Sequence, residues 1–200
     1  MQHLAHLSKD KKIKKIIGLQ RPYVLQQRKN ICLHLCYSIM SQQLSTKVAD
    51  VFHRRFLELY KGKEPTVKQI ASTPFETLRG IGLSNAKANY VLNVSRFFIE
   101  EKITDAKLHK MSNEELIQYL SKIKGVGQWT VEMILMFTLG REDVFAVDDL
   151  GIQQAICKLY KIDGTDKKAM KERMLQISSK WSPYRTYACR YLWGWKDGGE

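Results

Sequence analysis

The sequence predicts an all-α protein, and three observations carry that expectation. Apolar residues recur at helical spacing: Ile31, Leu35 and Ile39 fall at i, i+4 and i+8, and Val48, Phe52, Phe56 and Leu59 make a second stripe. Helix starts are marked by Thr73-Pro74-Phe75-Glu76 and Ser112-Asn113-Glu114-Glu115, both with capping-box spacing, the first with proline at N1. Alternation of period two is not sustained, and the glycine-rich turns separate helical segments rather than strands. In chain order, the lysine cluster near the N-terminus reads as a solvated helix face or a frayed end. The two stripes and two capping boxes follow, and Ser182-Pro183 opens a last helix after Trp181. No linker or low-complexity stretch divides the chain.

Charge and composition narrow the function. The chain has 200 residues, with 33 basic against 20 acidic side chains and a net charge of +13. Its hydrophobic fraction of 44% and charged fraction of 26% are those of an ordinary globular protein that can bury a core, in one large domain or two small ones. No apolar run is long enough to cross a bilayer, and Lys9, Lys11, Lys12, Lys14 and Lys15 interrupt any secretory signal. A cytoplasmic protein is expected, nucleoid-associated if the source is prokaryotic, with a polyanion as the first suspect partner. Cys32, Cys36, Cys157 and Cys189 form no Cys-x-x-Cys pair and assemble no zinc or iron–sulfur site, so they read as reduced thiols.

One internal similarity carries chemistry. Leu78-Arg79-Gly80-Ile81-Gly82 and Ile123-Lys124-Gly125-Val126-Gly127 each place a basic residue before Gly-aliphatic-Gly and a helix. A dinucleotide-binding turn would need a preceding strand and a third glycine, where Asn85 and Thr130 stand instead. Glycines flanking an aliphatic plug let the backbone turn tightly between helices. The turn leaves amide N–H groups unpaired at a positive helix end, where a phosphate can sit. A plain corner between helices is the alternative, and for residues 78–91 both readings stand.

The surroundings of the second copy resemble a known family. Leu120 to Thr130 is similar to the helix–hairpin–helix motif of the DNA base-excision glycosylases. Asp143-Val144-Phe145-Ala146-Val147-Asp148-Asp149-Leu150 resembles the Gly/Pro-Asp loop that completes the family signature, with valine where proline is usual. Ser38 to Ser45, Leu78 to Tyr90 and Trp181 to Trp193 extend the likeness to the 3-methyladenine DNA glycosylase II branch over about residues 30–195. The resemblance implies a two-lobed fold with the active-site cleft between the lobes. One lobe would be residues 31–141, ending in the helix–hairpin–helix, and the other residues 1–30 with 142–200.

The same resemblance implies roles. Asp149 would be the catalytic acid that stabilises an oxocarbenium-like transition state and directs water, with Asp148 capping the following helix. Bifunctional members carry a lysine two residues after the second hairpin glycine. Trp129 stands there, which implies a monofunctional hydrolase. Trp129, Trp193, Met133 and Tyr187 would form the base pocket, although Tyr184, Tyr187 and Tyr191 also make an ordinary packing stripe. Lys124, Gly125, Val126, Gly127, Gln128, Trp129 and Thr130 would hold DNA phosphate, and Gln43 or Leu44 would fill the hole left by the flipped base. No catalytic metal or other cofactor is implied beyond a structural monovalent cation on the hairpin carbonyls. The expected partner is double-stranded DNA with damaged bases, bound by a monomer. The rival readings are a glycosylase of the same fold for uracil, hypoxanthine or an oxidised purine, and a non-catalytic module binding damaged DNA.

Overall fold

A computed structural model describes residues 1–198, and every regular element among them is helical. In chain order these are α1 (Gln2–Leu7), α2 (Lys11–Ile17), α3 (Ile31–Ser41), α4 (Thr46–Glu58), α5 (Val67–Ala71), α6 (Phe75–Gly80), α7 (Asn85–Glu100), α8 (Asp105–His109), α9 (Asn113–Leu120), α10 (Gln128–Phe137), α11 (Leu150–Tyr160), α12 (Lys167–Ser178) and α13 (Arg185–Lys196), with a 3-10 turn at Ser179–Trp181. They gather into two compact units, residues 27–139 and residues 1–26 together with the described residues from 140 onward. No helix among the described residues is long and apolar enough to cross a membrane.

In the 27–139 unit α3 is the central helix and packs on α4, α7 and α10. Its Ile31, Leu35 and Ile39 stripe is fully buried. The start of α3 is held twice: Asn30 Oδ1 accepts Leu33 N–H at 3.3 Å, and Asp105 accepts the N–H groups of Asn30 (2.7 Å) and Ile31 (3.2 Å). A carboxylate there also complements the helix dipole. The α4 stripe differs from expectation. Val48 is 43% exposed, while Ala49 and Phe56 face the core with Phe52 partly buried between them, so the buried line runs at i, i+3 and i+7 from Ala49.

Of the two expected capping boxes, the one at Ser112 forms, with Glu115 N–H on Ser112 Oγ (3.1 Å) and Ser112 N–H on Glu115 Oε2 (2.7 Å). The one at Thr73 does not. Pro74 occupies the N-cap position itself, and the Thr73 hydroxyl is spent on Gln69 O (2.8 Å) and Tyr60 Oη (2.6 Å).

In the other unit α13 packs on α2 and α11, over buried Ile13, Ile16, Ile152, Ile156, Tyr191 and Leu192. Asp10 caps α2 through Lys12 and Ile13 N–H, and its second oxygen accepts Tyr160 Oη–H (2.5 Å) and Trp181 Nε1–H (3.2 Å). Burial pulls this carboxyl upward, but the hydrogen bonds from Tyr160, Trp181 and the two amides outweigh it and hold the group below the usual carboxylate range.

Candidate functional site

The turn between α9 and α10 is built around Gly125, whose φ is +103°, with Val126 buried beneath it and Gly127 as the N-cap of α10. A Cβ at Gly125 would lie 2.1 Å from Cγ of Tyr90 on α7, so the ring leaves room only for glycine. Asn93, one turn further along α7, donates from Nδ2 to Lys124 O at 3.2 Å. Gly127 has no side chain with which to cap α10, and Gly127 and Gln128 are exposed. That is the arrangement an anion needs at a helix start.

The other glycine turn shows that the internal similarity has a different register. There the left-handed residue is Gly82 (φ +101°), followed by buried Leu83 and by Ser84 as the N-cap of α7. Gly82-Leu83-Ser84 is therefore the counterpart of Gly125-Val126-Gly127, and Gly80 lies at the end of α6. The first turn also satisfies its own backbone. Ser84 Oγ accepts Lys87 N–H at 3.2 Å, Arg55 donates to Ile81 O at 3.2 Å, and Arg79 donates to Leu83 O.

Between α3 and α4 the chain turns through Gln43, which is exposed and left-handed (φ +60°), and half-buried Leu44. Lys87 Nζ donates to Met40 O (2.9 Å) and Gln42 O (2.8 Å), and Gln42 Nε2 donates to Thr130 Oγ1 on α10 (3.2 Å).

In the same unit a cavity of about 370 Å³ is lined by His34, Tyr37, His53, Trp129, Met133 and Phe137, with Arg28 also on its wall. The rings of Tyr37 and His53 stack with centroids 4.3 Å apart. His53 Nε2 lies 2.9 Å from Ser41 Oγ and 3.2 Å from Tyr37 O, and the carbonyl can only accept, so this nitrogen carries the proton. Burial holds His53 below the usual imidazole range, and burial together with the Arg28 charge does the same to His34. Trp129 and Met133, both expected at a base pocket, thus meet here. His34, Tyr37 and His53 gave no signal in the sequence, because they come from two faces of α3 and α4 with no shared motif.

Asp149 lies in the other unit. It is itself the N-cap of α11, its Oδ1 accepting Ile152 N–H (2.8 Å) and Trp193 Nε1–H (2.8 Å). This corrects the capping role expected of Asp148, whose carboxylate instead pairs with Lys171. Gly151 was also missed: a Cβ there would come within 3.1 Å of Asp149 Oδ1 and Trp193 Nε1, so its bareness lets the indole reach the acid.

The segment leading to Asp149 lies on α13. Arg185 grips Asp143 bidentately (Nε 2.6 Å, Nη2 2.9 Å), and Ser182 Oγ–H adds a third bond at 2.8 Å. Burial raises the Asp143 carboxyl, but these bonds and the Arg185 charge prevail and hold it low. Thr186 Oγ–H donates to Arg141 O (2.6 Å) and accepts Val144 N–H (3.0 Å). Tyr187 is committed to the core rather than offered to a ligand. It is buried, stacks on His3 at 3.8 Å and donates to Glu142 Oε1 at 3.0 Å, and burial with that acceptor pushes its phenol up to about 12.

Among the described residues no group of three or more His, Cys, Asp or Glu is placed to hold a metal ion. The hairpin carbonyls suit a monovalent cation by donor type. Ile123 O and Lys124 O accept Val126 N–H (2.9 Å) and Asn93 Nδ2–H (3.2 Å), and each keeps a second lone pair.

Comparison with known proteins agrees with this architecture. The profile of the HhH-GPD superfamily base excision DNA repair proteins matches residues 36–181. The chain is 36% identical over 194 residues to DNA-3-methyladenine glycosylase 1 of Schizosaccharomyces pombe, covering 96% of this chain and 84% of that one. It is similar to the solved structure of the S. pombe 3-methyladenine DNA glycosylase Mag1 in complex with abasic DNA, with a TM-score of 0.88, 33% identity and coverage of 99% and 98%. A crystal structure of a DNA-3-methyladenine glycosidase from Bacillus halodurans matches with a TM-score of 0.82, 31% identity and coverage of 98% and 89%. The fold, the family profile and the near full-length relatives agree, and the chain belongs to the HhH-GPD superfamily of base excision DNA repair proteins.

Proposed function

We propose that the protein is a monofunctional DNA glycosylase acting as a monomer on damaged double-stranded DNA. It flips an alkylated purine of the 3-methyladenine or 7-methylguanine type and releases it by hydrolysis. The observation that carries the reading is the carboxylate of Asp149, held by the Trp193 indole and the α11 amide at 2.8 Å each. As the N-glycosidic bond breaks, its electron pair leaves with the base and neutralises the methylated purine. Positive charge then develops on the sugar, and a fixed carboxylate stabilises it while accepting a proton from the water that attacks C1′.

The 27–139 unit supplies the binding. Amide groups at Gly127 and Gln128 take a phosphate, assisted by Lys124. Carbonyls of the 123–126 turn would hold a monovalent cation, whose charge would favour the same phosphate. Gln43 or Leu44 enters the duplex at the vacated position. The cavity beside Trp129 suits a purine ring, because it is lined by the aromatic side chains of Trp129 and Tyr37 and by two imidazoles whose burial disfavours a charge. Trp129, standing where a Schiff-base lysine would be needed, supports hydrolysis without strand cleavage.

The test is Asp149→Asn on methylated duplex DNA, with released bases measured by chromatography. The rate should fall by about 10³-fold or more, with binding to an abasic-site analogue retained. Borohydride should trap no covalent complex of the wild type. A wild type that binds such DNA yet releases no base would leave only a binding module. Release of uracil, hypoxanthine or oxidised purines in preference to methylated ones would move the activity to another substrate class.

A further inference from the structure

The helix that follows the first glycine turn has no part in the proposed chemistry, yet one stretch of it touches both DNA-facing features of the 27–139 unit. Lys87, Tyr90 and Asn93 are spaced by three along α7 and so lie along one side of the helix. Lys87 Nζ holds Met40 O and Gln42 O, the carbonyls at the end of α3 that lead into the turn bearing Gln43 and Leu44. Tyr90 fills the space over Gly125, and Asn93 holds Lys124 O. Gln42 Nε2 to Thr130 Oγ1 adds a direct tie between the same two features. We infer that α7 is a positioning element that sets the spacing between the duplex-entering turn and the phosphate-holding hairpin, and that Lys87 is its positioning residue.

The chemistry suits that role better than a phosphate contact. The Lys87 ammonium already donates to two carbonyls at the C-terminal end of α3, where a cation complements the helix dipole, and burial lowers its affinity for the proton. Gln43 holds a left-handed backbone without being glycine, a conformation that persists only where neighbours over-determine it. Clamping the carbonyl of Gln42 supplies such a restraint.

This inference rests on the proposed entry of Gln43 or Leu44 into DNA, so both are measured together. Lys87→Met, Lys87→Arg, Thr130→Val, Gln43→Ala and Leu44→Ala would be compared on a duplex carrying 7-methylguanine beside 2-aminopurine. The readouts are flipping by fluorescence, single-turnover excision, and the salt dependence of binding. Lys87→Met should lower flipping and excision about tenfold, with Lys87→Arg largely restoring both and Thr130→Val giving a smaller loss in the same direction. The slope of log affinity against log salt should stay at the wild-type value. A slope reduced by about one would make Lys87 a phosphate contact and overturn the inference. So would wild-type flipping in Lys87→Met, where Gln43→Ala or Leu44→Ala is impaired. Wild-type flipping in both Gln43→Ala and Leu44→Ala would overturn the entry reading, and the inference with it. If Lys87→Met does not fold, Asn93→Ala, which releases Lys124 O from α7, decides: unimpaired flipping and excision there overturn the coupling.

Discussion

The two units place their functional backbone by different physics. In residues 27–139 the turns are set by steric room and by donors aimed at carbonyls: Gly125 under Tyr90, Asn93 on Lys124 O, Lys87 on Met40 O and Gln42 O. In the other unit the segments are set by carboxylates: Asp10 gathers Tyr160 and Trp181, Asp143 gathers Arg185 and Ser182, and Asp149 gathers Trp193. A carbonyl acceptor does not titrate, whereas the carboxylate acceptors of Asp10 and Asp143 do. A steric fit fails on a single added carbon, whereas a hydrogen-bonded carboxylate tolerates small shifts.

The sharpest break should come from Gly125→Ala. The new carbon would lie 2.1 Å from Tyr90 Cγ and at a φ of +103°, so a loss of about 3 kcal/mol or more is expected. Gly82→Ala shares the positive φ, but its nearest neighbour, Phe52 Cε1, is 3.2 Å away, so about 1–2 kcal/mol is expected. Thermal melting of the two variants checks the ratio, and equal losses would mean that Tyr90 yields freely. Ser84→Ala removes the cap that its counterpart Gly127 lacks. It should cost about 1 kcal/mol while leaving the salt dependence of DNA binding unchanged.

The smallest effect is the acid response. The Asp10 and Asp143 carboxyls are held below the unfolded value of about 3.9, so their contribution is fully present above that value and lost as pH falls through the folded ones. Pulse-labelled hydrogen exchange after exposure to pH 3 should open residues 141–149 and the start of α2 before the 42–45 and 123–127 turns. Simultaneous opening would deny the difference between the units.

Helix content was legible because helical period and caps are local properties, as Ile31, Leu35, Ile39 and the Ser112 box show. Thr73 misled because its hydroxyl had a nearer use on Gln69 O and Tyr60, a tertiary choice that no four-residue pattern contains. The register of the paired turns misled for a related reason. Gly80 matches Gly125 in letters, but the left-handed backbone sits at Gly82, and conformation rather than composition defines the repeat. Around the acid, the helix cap was expected at Asp148, and it falls on Asp149 because Trp193 and Lys171, distant in sequence, fix which carboxylate goes where. His34, Tyr37 and His53 were invisible as a group because only the packing of α3 on α4 brings them to one cavity.

The interleaving of the chain has a consequence during synthesis. A ribosome releases residues 27–139 as one uninterrupted stretch, whereas Asp10 must wait for Tyr160 and Trp181, on the order of ten seconds later at ordinary elongation rates. Asp149 itself and its Trp193 partner emerge later than every hairpin residue. A nascent or prematurely terminated chain therefore holds the hairpin residues before it holds Asp149 and the Trp193 indole that fixes its carboxylate.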